Sequence, residues 1–485
     1  MKQLFIFLCL ISFSIPIKSQ TFEEEYDKFK QKAIEDYVDF RKKANEEYAA
    51  FMKEAWKQYN VIPKVTIPKE NDEQPIDYNG NKGKGNPIEY DGIIPHEDLT
   101  PKPQPKPIAP IPENDKDQQY FKFFYYGTEM KVRYNPSLAV KLANANGNTL
   151  SEAWSTLSSD DYNNLIRDCL EIRIRYKLCD WAYYKMLEKL SNAACGENTN
   201  EAVLLMAFLY AQSGYRMRLA VTEQNKLLLL FNSNNMIFDL SGFRIDGDYY
   251  YTTEKLSENQ SINICDEPFP NEQPMSLNID AEPMLVENYS PCRTITAKGC
   301  PITTKSKVNK NLINFFNEYP TSYSDDNFMT RWRYYANTPL EETLKKELYP
   351  QLMSFIKDKD ILIAANMLLN YVQTGFEYEY DDKVWGHDRA FFAEETLYYP
   401  YCDCEDRAIL YSRLVRDLLG LNVVLVYYPG HMCTAVNFKD GAHGDYLTLN
   451  GMIYTVCDPT YIGAPVGATM PDMDNKTAKL ILLKR

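Results

Sequence analysis

The chain is poor in histidine: among 485 residues there are four, His96, His387, His431 and His443. Any chemistry that needs an imidazole must therefore use one of these. Positive charge is also short, with 53 Lys and Arg against 67 Asp and Glu and a net charge of −14. Neutralising phosphates takes a basic face, so a nucleic-acid partner is not expected. Long apolar runs are missing after residue 17, and the run 4–17 is itself too short and too soon followed by charge to span a bilayer.

The first feature present is that run. Lys2 precedes it and the small Ser19 follows it, the pattern of a cleaved targeting segment over 1–19. The mature chain is then expected to be exported, to a periplasm, a cell surface or the medium. Removing Lys2 and Lys18 takes the charge from 53 − 67 = −14 to 51 − 67 = −16. Of eleven cysteines, Cys9 leaves with the segment, and among the rest some pairing is expected in an oxidising compartment. Cys292 and Cys300 resemble the ends of a small closed loop, although spacing alone does not fix connectivity.

Residues 20–60 carry a repeat of period 11: Phe22, Tyr26, Phe29 and Ala33, then Tyr37, Phe40 and Ala44, then Tyr48, Phe51 and Ala55. Such a period keeps an apolar stripe nearly straight along a helix. A stripe needs a partner, so this helix either oligomerises or docks on another surface, or packs on its own globular part. The composition over 61–118 turns to Pro, Gly, Asn and charge, and includes the run Pro101-Lys-Pro-Gln-Pro-Lys-Pro-Ile-Ala-Pro-Ile-Pro112. This favours an extended spacer that holds the helix away from the rest of the chain.

An α+β domain is expected over 119–260, with a hairpin around Gly127, helical patterns across 150–190, a helix ending near Gly214 and several strands. A β-rich bridge comes next over 261–310, and then a third unit over 311–485, in which 340–373 reads as one long amphipathic segment. Setting Gly214 against Gly420 aligns the helix and strands of the first domain with those of the last. Asn198 then falls at Cys404 and Asn225 at His431, with Asp239 loosely at Asp458. The first domain is thus a candidate degenerate copy; the competing view is that helix, Gly, strand is simply a common order of elements.

The chemistry concentrates in 399–461. Asp403 and Asp406 frame a helix start, Cys404 falls in its first turn, His431 opens a strand after Pro429-Gly430, and Asp458 ends another before Pro459. A thiol in a first helical turn is favoured as thiolate by the backbone amides, while Glu405 and Asp406 oppose that effect. Cys404, His431 and Asp458 are accordingly the candidate nucleophile, base and orienting carboxylate. His387, in Trp-Gly-His-Asp, is the rival base. The rival chemistry is a metal held by Cys402, Cys404, His431 and Cys433, which leaves Asp458 without a role. No cofactor and no metal are expected.

The Asp-Cys-Glu-Asp-Arg-Ala helix start, the Gly-His strand and the Asp-Pro-Thr-Tyr strand end resemble the transglutaminase-like superfamily of papain-related cysteine enzymes, over about 360–485. With its exported helical N-terminus the layout is similar to exported Bacteroides-type transglutaminase-like proteins. Cys402 departs from the family's usual Gly before Asp-Cys, and Met432-Cys433 stands where an aromatic is common. The resemblance implies acyl transfer through a thioester on a peptide or protein substrate, with the Cys404 N–H as one oxyanion donor and Gln373 or Trp385 as the candidate second. Hydrolysis, as a thiol peptidase or amidase, is the expected outcome; glutamine cross-linking and a non-catalytic envelope scaffold are the alternatives.

Overall fold

The computed structural model describes residues 19–64, 74–90, 111–114, 119–270, 272–324 and 327–484, with side chains from Tyr26 onward. The expected targeting segment up to residue 18, the prolines of 101–110, His96 and the Phe22 side chain lie outside the described residues. The chain is α+β, and none of its described helices is long and apolar enough to cross a membrane.

The leading helix runs Ser19–Glu54. Its second half is embedded, with Ala44, Tyr48 and Met52 buried against the helices Gly147–Leu157 and Asn200–Gln212. A Cβ at Gly147 would stand 2.2 Å from the Met52 carbonyl oxygen, so only glycine permits this approach. Polar ties fix the docking: Arg41 donates to Gln212 (2.7 Å) and Asn163 (2.6 Å), and Asn45 accepts from Trp154 (2.9 Å). The expected spacer therefore does not hold this helix away. The end of the apolar repeat is not helical either; Trp56–Asn60 is a strand paired with Ser261–Cys265. The first half of the stripe stays in solvent, with Tyr26 59% and Phe29 72% exposed.

The described part of the Pro-rich region is also anchored. Glu89–Tyr90 adds a short parallel strand to Tyr446–Leu449, and the Tyr461 hydroxyl donates to the Asn81 carbonyl at 2.5 Å. Covering a sheet edge in this way satisfies its outward amides.

Two six-stranded sheets organise the rest. The first runs, side by side, Trp56–Asn60, Ser261–Cys265, Met217–Val221, Leu227–Ser233, Asp248–Thr252 and Ser241–Ile245. The second runs Glu89–Tyr90, Tyr446–Leu449, Met452–Cys457, His431–Asn437, Asn422–Tyr428 and Lys479–Leu482. Leaving out the added strand of each, five strands have the same order and the same antiparallel pairing in both sheets. Each set comes after a helix, Asn200–Gln212 or Cys404–Leu419, that ends at a glycine with positive φ (Gly214, +98°; Gly420, +64°). The correspondence of the two units thus extends from one helix to a whole topology.

The stretch 340–373 is two helices rather than one, Glu342–Ile356 and Ile361–Gly375. The second begins at Asp360, whose carboxylate accepts from the Leu362 amide at 2.9 Å. The pattern across 150–190 likewise divides into Gly147–Leu157, Asn163–Arg175 and Asp180–Cys195. In the bridge, Arg293–Thr296 pairs with Thr303–Ser306. This hairpin rules out the expected Cys292–Cys300 disulfide: Cys292 lies just beyond its open end and Cys300 in its closing turn, roughly 15 Å apart at strand rise. All ten described cysteines are free thiols.

Candidate active site

Asp403 caps the helix Cys404–Leu419, and the Asp406 carboxylate accepts from the Asp403 amide at 3.3 Å. Cys404 is the first helical residue and is buried. The Pro429-Gly430 turn pairs Tyr428 with His431, so His431 opens its strand; Gly430 has φ +78°. On the neighbouring strand Thr434 pairs with Cys457, which brings Asp458 to the level of Cys433 and within reach of the imidazole. His431 Nε2 and Asp458 Oδ2 are 2.9 Å apart, and both side chains are buried.

The carboxylate is held at its other oxygen. Asp458 Oδ1 accepts from the amides of Thr460 (2.9 Å) and Tyr461 (3.1 Å). Gln373 then clamps the loop: its Nε2 donates to the carbonyls of Asp458 (3.0 Å), Tyr461 (2.7 Å) and Ala464 (3.1 Å), and its Oε1 accepts from Gly463 (3.1 Å). Gln373 is therefore not an oxyanion donor, because its amide hydrogens are committed to the loop that carries Asp458.

Cys404 and His431 both line a cleft of about 950 Å³. Trp385, the other oxyanion candidate, is not among its lining residues; it packs edge-on against Phe391 and Tyr399 with Arg389 over its face. His431 Nδ1 is buried with no hydrogen-bond partner. With Nε2 engaged by Asp458, Nδ1 is the nitrogen available for a proton. The Cys404 thiol donates to Glu405 Oε2 at 3.2 Å. One wall comes from the first unit, through Phe238 and Asp239. His387 also lines the cleft, is exposed, and has Nδ1 3.1 Å from the Trp385 carbonyl; no carboxylate orients it in that contact.

The four-ligand metal set is not assembled. Cys402 lies in a short strand beside Glu377–Tyr378 and donates to the Glu377 carbonyl (3.6 Å). Among the described residues the groups close enough to share an ion are His431, Cys433 and Asp458, and Asp381, Asp388 and Glu405. Burial raises the thiols of Cys402, Cys433 and Cys457, the last to about 12, so these neighbours stay protonated and unreactive.

Sheet register locates the counterpart of this site in the first unit. Phe231 pairs with Tyr251, and continuing that ladder sets Leu228 opposite Glu254, as Cys433 is opposite Asp458. Lys226 then takes the place of His431, and its Nζ lies 2.7 Å from Glu254 Oε1. Asn200 heads the helix where Cys404 does, donating to the Asn225 carbonyl (2.9 Å) and accepting from the Leu227 amide (2.8 Å). The equivalent positions are thus Asn200, Lys226 and Glu254, not Asn198, Asn225 and Asp239. The turn between these strands is one residue longer than Pro429-Gly430, which shifts the ungapped alignment.

Sequence reasoning placed Glu405 and Asp406 beside the thiol but missed Asp381 and Asp388, which join them. Burial, then Asp406 and Glu405, push Asp381 up to about 10, and burial with Glu405 holds Asp406 well above the usual range. Nearby, burial pushes Glu394 up to about 8. These carboxyls keep protons in the folded chain that an unfolded chain releases above about pH 4. Their stabilisation is complete below that value and is lost as pH rises through about 8 and about 10. The melting temperature should fall by roughly 5–10 °C between about pH 6 and pH 9, and Glu394→Gln should flatten the decline. A melting temperature that rose across that interval would contradict the assignment. Asp381-Asp382 and Asp388 are visible in the sequence, but no spacing reports that their loop folds over Cys404.

Comparison with known proteins gives no match, whether to a family model, a curated protein or a solved structure.

Proposed function

We propose that the chain is a transglutaminase-like cysteine hydrolase acting on peptide or protein amides through a thioester. One observation carries this reading: the His431–Asp458 pair leaves Nδ1 without a partner on a cleft that Cys404 also lines. In the reaction Nδ1 takes the thiol proton, Sγ adds to the amide carbonyl carbon, and the C–N bond breaks as the imidazolium returns that proton to the leaving amine. Water, deprotonated by the same nitrogen, then releases the acid and the free thiol. The Cys404 N–H, in the first helical turn, is the proposed oxyanion donor.

A second reading, a non-catalytic binding scaffold, is favoured by the thiol donating its hydrogen bond to Glu405 Oε2 at 3.2 Å. Labelling by iodoacetamide separates the two. Under the hydrolase reading Cys404 alkylates quickly at neutral pH, at least ~10-fold faster than a simple thiol, and His431→Ala removes the advantage. A thiol as slow as the buried cysteines would sink the enzymatic reading. Glu405→Gln should raise the labelling rate several-fold, since a neutral amide no longer disfavours the thiolate; a slower variant would instead make Glu405 a proton acceptor in the site.

A further inference from the structure

The fold leaves the apolar stripe uncovered along the first half of the leading helix. Docking begins at Tyr37 and Phe40, which pack partly buried on the core, and Arg41 ties the helix to Gln212 and Asn163. Over 26–36 the side chains are exposed, Ile34 alone being half-buried. Tyr26, Phe29 and Ala33 follow one another at steps of three and four, so they share one face of the helix, with Tyr26 59% and Phe29 72% exposed. Single apolar residues are ordinary on a surface, but a row at coiled-coil spacing on a helix that its own body does not cover is a seam. Helices draw most of their stability from packing such a face.

The charge sequence says what fits it. Residues 23–27 include four Asp or Glu and no Lys or Arg, whereas 28–32 include three Lys and no Asp or Glu. In an antiparallel pair that sets Tyr26 of one copy against Phe29 of the other, the acidic block of each copy runs along the basic block of its mate. That register is centred between Asp27 and Lys28. The uncovered half, residues 19–36, has the same midpoint, so two such halves overlap along their whole length, about 18 residues or ~27 Å at helical rise. The two bodies then fall at opposite ends. A parallel pair would set each charge block beside its like and crowd both bodies at one end.

We propose that residues 19–36 form a dimerisation surface whose occupant is the same segment of a second copy of this chain, antiparallel, with Tyr26 packed on Phe29 across the pair. The contact is short against the roughly 1,200–2,000 Å² of a standard interface, so the dimer is weak and its population follows concentration. Each copy keeps its own cleft, and the pairing does not depend on the acyl-transfer reading.

Sedimentation equilibrium of the chain 20–485 between about 1 and 500 μM tests this, with a monomer–dimer equilibrium in the micromolar range expected. The association should weaken as salt screens the paired blocks. Phe29→Ser, and separately Lys30→Glu with Lys32→Glu, should each raise the dissociation constant at least ~10-fold. These side chains are exposed on their own chain, so the melting temperature of the dilute monomer should stay within ~2 °C of the native value. Small-angle scattering of the dimer should show two separated bodies. A chain that stays monomeric at every concentration overturns the proposal, as does a dimer indifferent to both sets of substitutions. A compact dimer with its bodies side by side overturns the antiparallel pairing. A monomer that instead sediments with phosphatidylcholine–phosphatidylglycerol vesicles, and loses this with Phe29→Ser, would make the occupant a lipid surface and overturn the second copy.

Discussion

Asp458→Asn should slow acyl transfer by Cys404 at neutral pH by about 10⁴-fold, and bring its alkylation down to the rate of a simple thiol, while leaving the fold intact. The reason is the way the carboxylate is held. Oδ1 accepts two backbone amides, from Thr460 and Tyr461, so an asparagine must place its carbonyl oxygen there. Its NH2 group then faces His431 Nε2, where Asp458 Oδ2 now sits at 2.9 Å. An amide donor at that point requires Nε2 to be the acceptor, which moves the imidazole proton to Nδ1. That nitrogen can then no longer take the thiol proton. A side chain free to rotate would escape this penalty; the two amides prevent rotation. The labelling rate against pH measures it, and wild-type rates in Asp458→Asn would remove Asp458 from the triad.

Gln373→Leu should be among the most destabilising single changes in the second unit, costing about 3–5 kcal/mol. The replacement leaves three carbonyls, of Asp458, Tyr461 and Ala464, whose bonds to Gln373 are buried, and the Gly463 amide without their present partner. Chemical denaturation should show the loss as a lowered midpoint with an unchanged slope. Where the variant still folds, its Cys404 labelling should slow as well, because the loop that sets Asp458 has lost its clamp. Gln373→Glu offers a sharper contrast, since it keeps the acceptor for Gly463 and loses the donors. A variant with native stability would show that the loop is held by other contacts.

The local features of the site could be read from the sequence because each is a short-range rule. Asp403 and Asp406 announce a capped helix, Gly420 its end, Pro429-Gly430 a two-residue turn, and Pro459 a strand stop; the structure has each of these. The 11-residue repeat predicts a helix for the same reason, because side-chain periodicity needs no knowledge of the remainder of the chain. The failures share the opposite property. Gln373 is an oxyanion candidate by its place ahead of Cys404, but which carbonyls meet its amide depends on how a loop about 90 residues later closes. The Cys292–Cys300 expectation fails because a hairpin, invisible to spacing, stretches the segment between them. The ungapped alignment of the two units misplaces the Cys404 and His431 counterparts by one or two positions, since hydrogen-bond register and not sequence offset fixes which residues are equivalent.

Taken alone, then, the sequence determined the α+β class, the helix that carries Cys404 and the strands that carry His431 and Asp458, all set by caps, turns and alternation within a few residues. The tertiary structure decided what those residues face. It joined His431 to Asp458, turned the thiol toward Glu405 and folded Asp381 and Asp388 over the cleft. It also filled the equivalent position of the first unit with a Lys226–Glu254 ion pair. These are contacts between segments distant in the chain, and their distances come from sheet register and packing, which no local pattern encodes.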